Sequence, residues 1–221
     1  MGEGVKGSAP GRTRSYDASG RRDKARTTRR AVLTAARELV EQRGFAATTI
    51  VAVAAQAGVS PESVYKGFRT KAALVKEVFD VTIAGDDEAV AVADRHESER
   101  IRAEPDVKEK LRLYAENVAE RARRSARLQL VLRNGSSSDP AIADLWQRIQ
   151  AERLQGMQML ASHLLATGQL RAGIDLQEAT DVLWTCISVE VYDLLVLQRG
   201  WHLDAFTDWL ARTLIASLTD G

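Results

Sequence analysis

Two short amphipathic segments held three residues apart constrain this chain more than any other feature. In the stretch TTIVAVAAQAGVSPESVYKGF, residues 48–68, Thr48 or Thr49 is placed to cap a helix in which Ile50, Val53, Ala54 and Ala57 recur at helical spacing. Gly58 then stops it after about two turns. Ser60 caps the next helix and Pro61 takes its first position, where a missing N–H costs nothing, so a third helix runs from Pro61 to about Gly67. Upstream, RRAVLTAARELVEQRG puts Val32, Ala36, Leu39 and Val40 on one face, and Gly44 stands where a C-terminal cap is needed. Short helices joined by a glycine-containing turn define a helix-turn-helix, and the small Ala54 and Ala57 allow the close crossing it demands. On spacing alone an ordinary helical hairpin also fits.

The distribution of charge bears on that choice. The overall net charge is only +1, but residues 1–76 carry +9 and residues 77–221 carry −8. A basic end on an acidic chain is the pattern of a protein that meets a polyanion with one part only; a merely solvated basic tail is the alternative. Residues 1–25 lack apolar periodicity and are rich in Gly, Ser and Arg, which predicts a flexible basic arm carrying Arg21, Arg22 and Lys24, able to reach a flanking minor groove.

Within residues 29–78, the run AVLTAARELVEQRGFAATTIVAVAAQAGVSPESVYKGFRTKAALVKEV resembles the DNA-binding domain of the TetR family of bacterial transcriptional regulators. The resemblance rests on AA followed by GF and TT, then AGVS, then Tyr65 two residues before Gly67-Phe68, then Lys71 and Leu74. The stretch ATDVLWTCISVEVYDLLVLQRGWHLDAFTDWLARTL is similar to the last two helices of one group in that family, which form its dimer interface. The resemblance implies a repressor that binds a palindromic operator in double-stranded DNA as a homodimer and is released by a small apolar or amphipathic effector. It also implies phosphate contacts from the Tyr65 hydroxyl and from Lys71. The residues themselves place Pro61, Glu62, Ser63 and Lys66 outward, beginning at Ser60, on the segment that would enter a major groove, with Val64 and Phe68 turned inward. Thr48 and Thr49 are candidates to donate to phosphate at the start of the second helix, or simply to cap it. Two departures from the family pattern stand out. Gly67 replaces a common histidine, and the second helix offers Val51, Ala52 and Ala55 where a polar reader often sits, which shifts weight to Lys66, Ser63 and the arm.

The expected architecture is all-α: an arm over 1–25, a helix-turn-helix domain over 26–70, and a helical ligand-binding and dimerisation domain over 71–221 whose fourth helix, 71–84, is the connector. Further helices are expected near 90–103, 106–124, 127–134, 139–167, 175–199 and 203–218, with Asp106, Asp139 and Asp175 as N-caps. An aromatic content of 5%, with 15 Gly and 4 Pro thinly spread, argues against a turn-rich β fold. Phe79, Tyr114, Asn117, Arg121, Trp146, Gln150, Met157, His163 and Trp184 lie on apolar stripes with polar residues interleaved, as core or as the lining of a site between helices. Residues 176–199 are apolar nearly all round, so a homodimer through 176–199 and 203–218 is expected. No catalytic constellation, Gly-rich phosphate loop or metal motif is present, so neither an enzyme nor a cofactor is expected. The single Cys186 rules out an intrachain disulfide and reads as a small buried hydrophobe; with no apolar run long enough to span a bilayer, a soluble cytoplasmic protein without membrane contact is expected. The rival from another class is a helical small-molecule-binding protein that touches polyanions only nonspecifically.

Overall fold

Helix initiation along this chain is set by side-chain oxygens at each N-cap. Thr49, Ser60 and Thr70 accept from the backbone N–H three residues on, at 3.1, 3.2 and 3.0 Å. Asp106, Asp139 and Asp175 accept from N–H groups two or three residues on at 2.8–3.4 Å, and each such cap stabilises its helix by about 1 kcal/mol. The computed structural model describes residues 18–86 and 96–220, which form helices with no strand among them. They are α1 (Ala18–Ala47), α2 (Ile50–Ala57), α3 (Pro61–Phe68), α4 (Lys71–Ala84), α5 (His96–Ala103), α6 (Val107–Gly135), α7 (Pro140–Ala166), α8 (Leu176–Cys186), α9 (Val189–Tyr192) and α10 (Leu203–Leu218). A π-helical turn, Asp193–Gln198, follows α9.

Three expectations about boundaries are corrected. The basic arm is helical from Ala18, so Arg21, Arg22 and Lys24 belong to α1; the run RRDKARTTRR has no proline and strong helix formers that extend the apolar helix backwards. Residues 1–17 of the expected arm lie outside the described residues, as do residues 87–95 at the start of the helix expected near 90–103. The helices expected at 106–124 and 127–134 are one, α6, because nothing between them breaks the ladder. The helix expected over 175–199 is broken after Cys186, where Ser188 caps a new start by accepting from the Val191 N–H. Gly44 interrupts α1 with φ +78, ψ +167, a positive-φ kink open to glycine rather than the left-handed cap expected there.

Two hydrophobic cores result. The first joins α1–α4 to the hairpin end of α6 and α7 through Leu39, Val53, Phe68, Phe79, Leu128 and Leu145. The second fills the far half of the bundle, where α10 packs on α6 and α8 and the Tyr192 and Phe206 rings meet edge to face at 5.2 Å. Trp146 packs against both cores. Polar ties run across the same junction. The Arg124 guanidinium of α6 donates to the Ile83 and Thr82 carbonyls of α4 at 3.0 and 3.3 Å, and the Arg124 carbonyl accepts from Arg37 Nη2 of α1 at 2.6 Å. Lys76 of α4 also pairs with Glu152 of α7 at 3.0 Å.

Candidate nucleic-acid interface

The turn between α2 and α3 closes as the sequence requires. Gly58 adopts φ +68, ψ +33, and the Val59 N–H returns to the Ala54 carbonyl at 3.0 Å, closing the end of α2. Ala54, Val53 and Ile50 are buried beneath α1, and Val64 and Phe68 seal α3 onto the same core. The opposite face of α3 therefore presents Pro61, Glu62, Ser63, Tyr65, Lys66 and Gly67 to solvent. Tyr65 is 53% exposed, a large aromatic held outside the core beside a basic side chain. Ser60 and Ser63 share a hydroxyl hydrogen bond of 2.9 Å at the head of the helix. Among the described residues, Lys66 and Tyr65 make no hydrogen bond or ion pair, so both side chains are available to a partner.

Other expected DNA contacts are placed differently. Thr49 is exposed and caps α2, but Thr48 is 1% exposed and its hydroxyl donates to the Gly44 carbonyl at 2.8 Å, so burial removes it from any phosphate surface. Lys71 Nζ donates to the Phe45 carbonyl at 2.8 Å and lies 4.0 Å from the Phe45 ring centroid. Partial burial lowers its pKa, and one of its three donors is committed to tying α4 to α1. On α1, Arg22 and Lys24 are exposed. One basic residue escaped the sequence reading. Arg69, directly after α3, is exposed and holds φ +63, a left-handed conformation unusual for a residue with a side chain. Its charge at a helix junction was the available signal.

The expected ligand-lining residues separate into groups. Phe79 is core of the first cluster, 8% exposed. His163 is tied into the bundle by a basic partner. Its Nε2 meets the Nζ of Lys110, 1% exposed, at 3.0 Å; Nζ donates to Gln169 Oε1 at 2.6 Å. Burial and the neighbouring ammonium push the His163 pKa down, and with Gln169, which also donates to the Pro105 carbonyl at 2.9 Å, the cluster pins the start of α6 to the end of α7. Tyr114 is buried and donates to Met157 Sδ at 3.2 Å, and burial pushes its pKa up to about 12. Asn117 and Arg121 of α6, Trp146 and Gln150 of α7 and Trp184 of α8 are partly buried. Arg153, absent from the sequence reading because a lone arginine in a helix passes for surface, stacks over Trp184 at 3.5 Å. An open, acidic cleft of about 520 Å³ between α8 and the end of α10, bordered by Asp175, Glu178, Asp181 and Ser217, involves none of the expected ligand residues. Among the described residues, no group of three or more His, Cys, Asp or Glu could hold a metal ion, and no helix is long and apolar enough to cross a membrane.

An exposed, partly basic helix on a helix-turn-helix, backed by a larger helical domain, defines a DNA-binding regulator. Residues 32–78 match the family model for bacterial regulatory proteins of the tetR family. Its members are transcription factors rather than enzymes. Similar folds include a protein from Rhodococcus sp. assigned as a TetR-family transcriptional regulator, 19% identical over 88% of this chain and 100% of that one, TM-score 0.69. The regulator FadR from Bacillus subtilis, in complex with stearoyl-CoA, is 20% identical over 85% and 98% of the two chains, TM-score 0.65. A protein from Saccharomonospora viridis assigned as a transcriptional regulator, in complex with choline, is 19% identical over 90% and 100%, TM-score 0.63. A comparison with curated proteins gives no match.

Proposed function

We propose that the protein is a homodimeric repressor that binds a palindromic operator and is released by a small amphipathic ligand. The observation that carries this reading is the outward face of α3, where Pro61, Glu62, Ser63, Tyr65 and Lys66 are all exposed on an eight-residue helix fixed by Val64 and Phe68. Such a helix enters a major groove with its N-terminal residues at the base edges; Lys66 then reads a base, while Tyr65, Thr49, Lys71 and Arg69 hold phosphates. Two copies satisfy a palindrome when their recognition helices lie about 34–36 Å apart or a multiple of that spacing. Leu176 of α8 and Leu194 and Leu197 of the π-helical turn are 38%, 54% and 45% exposed, an apolar surface that a second copy would cover.

Release requires a ligand that binds better to a dimer with wrongly spaced recognition helices, since equal affinity for both forms shifts nothing. The carbonyl ties of Arg124 to the end of α4 supply the connection from bundle to DNA module. Selection of duplexes from a random pool, followed by affinities for the selected and a scrambled duplex at one stated salt concentration, tests the reading. The expected preference is at least about 10³-fold, with a palindromic selected sequence and a dimer by sedimentation. Equal affinity for both duplexes, or a monomer at micromolar concentration, would overturn it.

A further inference from the structure

The ligand expected above has a chemistry written into the second core, at a level where three helices each contribute one polar or aromatic group. Contacts Tyr114–Met157 and Lys110–His163 fix α6 antiparallel to α7. One turn further along α6 comes Asn117, and one turn back along α7 comes Arg153, so the register sets these two at the same level of the bundle. Trp184 of α8 closes the third side beneath the guanidinium.

Both polar groups are incomplete. Asn117 Oδ1 and Arg153 Nε are each sealed from solvent without a hydrogen-bond partner, and among the described residues no carboxylate lies within ion-pair distance of Arg153. Tyr114 spends its hydroxyl on a thioether, a weak acceptor. A guanidinium cannot shed its proton to escape burial, and stacking on an indole offsets only part of the cost of leaving water. A partly buried cation with a sealed, orphan Nε–H suits an anion, and the nearby carboxamide, which can turn over to give or accept a hydrogen bond, suits the second oxygen or an adjoining hydroxyl. The surroundings of Tyr114, Val118 and Met157 are apolar.

We infer that Arg153, Asn117 and Trp184 form the head-group subsite for an amphipathic carboxylate, the carboxylate on Arg153 and the apolar body among Tyr114, Val118 and Met157. This rests on the ligand-released reading but is tested separately from it. Octanoate and benzoate serve as probes, with octanol and benzyl alcohol as their neutral counterparts, against the full-length protein by melting temperature and tryptophan emission. The acids should raise the melting temperature and change the emission, and the alcohols should do neither. Arg153→Met should weaken acid binding roughly 10- to 100-fold. It should melt no lower than the wild type without ligand, because a partly buried cation with a sealed, unpaired Nε–H has been removed. Asn117→Leu provides a second variant, with the same direction and a smaller loss.

The subsite is overturned if no acid binds, if the alcohols bind as well as the acids, or if Arg153→Met keeps its affinity. It is equally overturned if Arg153→Met dissociates a dimer, because the missing anion is then a carboxylate of a second copy. Affinity for the selected duplex, measured with and without each acid, separates the two readings. Acids that bind without loosening DNA support the subsite and sink the release mechanism; acids that still loosen DNA from Arg153→Met do the reverse.

Discussion

Replacing Arg124 by Met removes the tie between bundle and DNA module, together with an exposed ion pair to Glu120 on the same helix at 3.1 Å. The substitution keeps an unbranched stem but deletes donors to the Ile83 and Thr82 carbonyls at 3.0 and 3.3 Å, which are among the last of α4 and otherwise lack intrahelical partners. A buried charge-assisted bond contributes about 1.5–3 kcal/mol, but here the second is long and the side chain is 28% exposed. The favourable placement of a cation at a helix C-terminus is included in the same contact, so the sum is about 1–2 kcal/mol. For a chain of this size that lowers the melting temperature by about 2–8 °C. More telling is where the loosening falls. Hydrogen exchange in the last turn of α4, through Gly85 whose N–H bonds to the Val81 carbonyl, should accelerate about 5- to 30-fold. Exchange at the start of α4 and in α1 should stay put, because the Arg124 carbonyl that receives Arg37 is untouched. A uniform acceleration across the chain, or none at the end of α4, would refute the role given to this side chain.

Two further substitutions have readable outcomes. Arg69→Gly relieves a residue held at φ +63 and should raise stability by up to about 2 kcal/mol in thermal melts, while weakening binding to any duplex and lowering the salt slope by about one. Tyr114→Phe should flatten the alkaline limb of stability. With the folded pKa raised from 10 to about 12, the wild type holds its full stability below pH 10 and loses it as pH rises towards about 12, by about 1.4 kcal/mol per unit. Melting temperatures of both proteins across that window check it, and parallel curves would show the hydroxyl to be solvated.

The helix-turn-helix was legible because its determinants are local. Thr49, Gly58, Ser60, Pro61 and Thr70 each act on the backbone within four residues, and Val64 and Phe68 declare their face by spacing alone. The bundle was less legible because its decisive facts are pairings between distant helices. His163 looked like an isolated polar group on an apolar stripe until Lys110, 53 residues earlier, was set against it. Phe79 and Tyr114 sit on stripes that suit a core or a cavity equally, and which one holds depends on what the facing helix brings. Arg153 illustrates the reverse error: its charge hid it, although its spacing of four before Met157 puts it on the inward stripe. In the segment after Leu176, apolar residues on every side masked Ser188, a cap that ends one helix and starts another.

Trp146 is the test of whether the two cores behave as one mechanical unit. Interiors are close-packed, so a displacement in the second core reaches α4 only through side chains that touch both or through the rigid bodies of α6 and α7. Trp146 packs against both clusters, and Phe79 of α4 lies in the first. Phe79→Ala is the wrong probe: as core it should cost about 3–5 kcal/mol and remove folding and DNA binding together. The milder pair Phe79→Leu and Trp146→Phe keeps both sites apolar and filled. If the indole transmits position to α4, the double variant should depart from the sum of the singles by about 0.5 kcal/mol or more in denaturant unfolding. Additivity within about 0.3 kcal/mol would mean that the indole and the phenyl ring do not sense each other. Coupling would then run along the polar ties of Arg124 and Lys76, and Trp146→Phe would leave every exchange rate in α4 where it was.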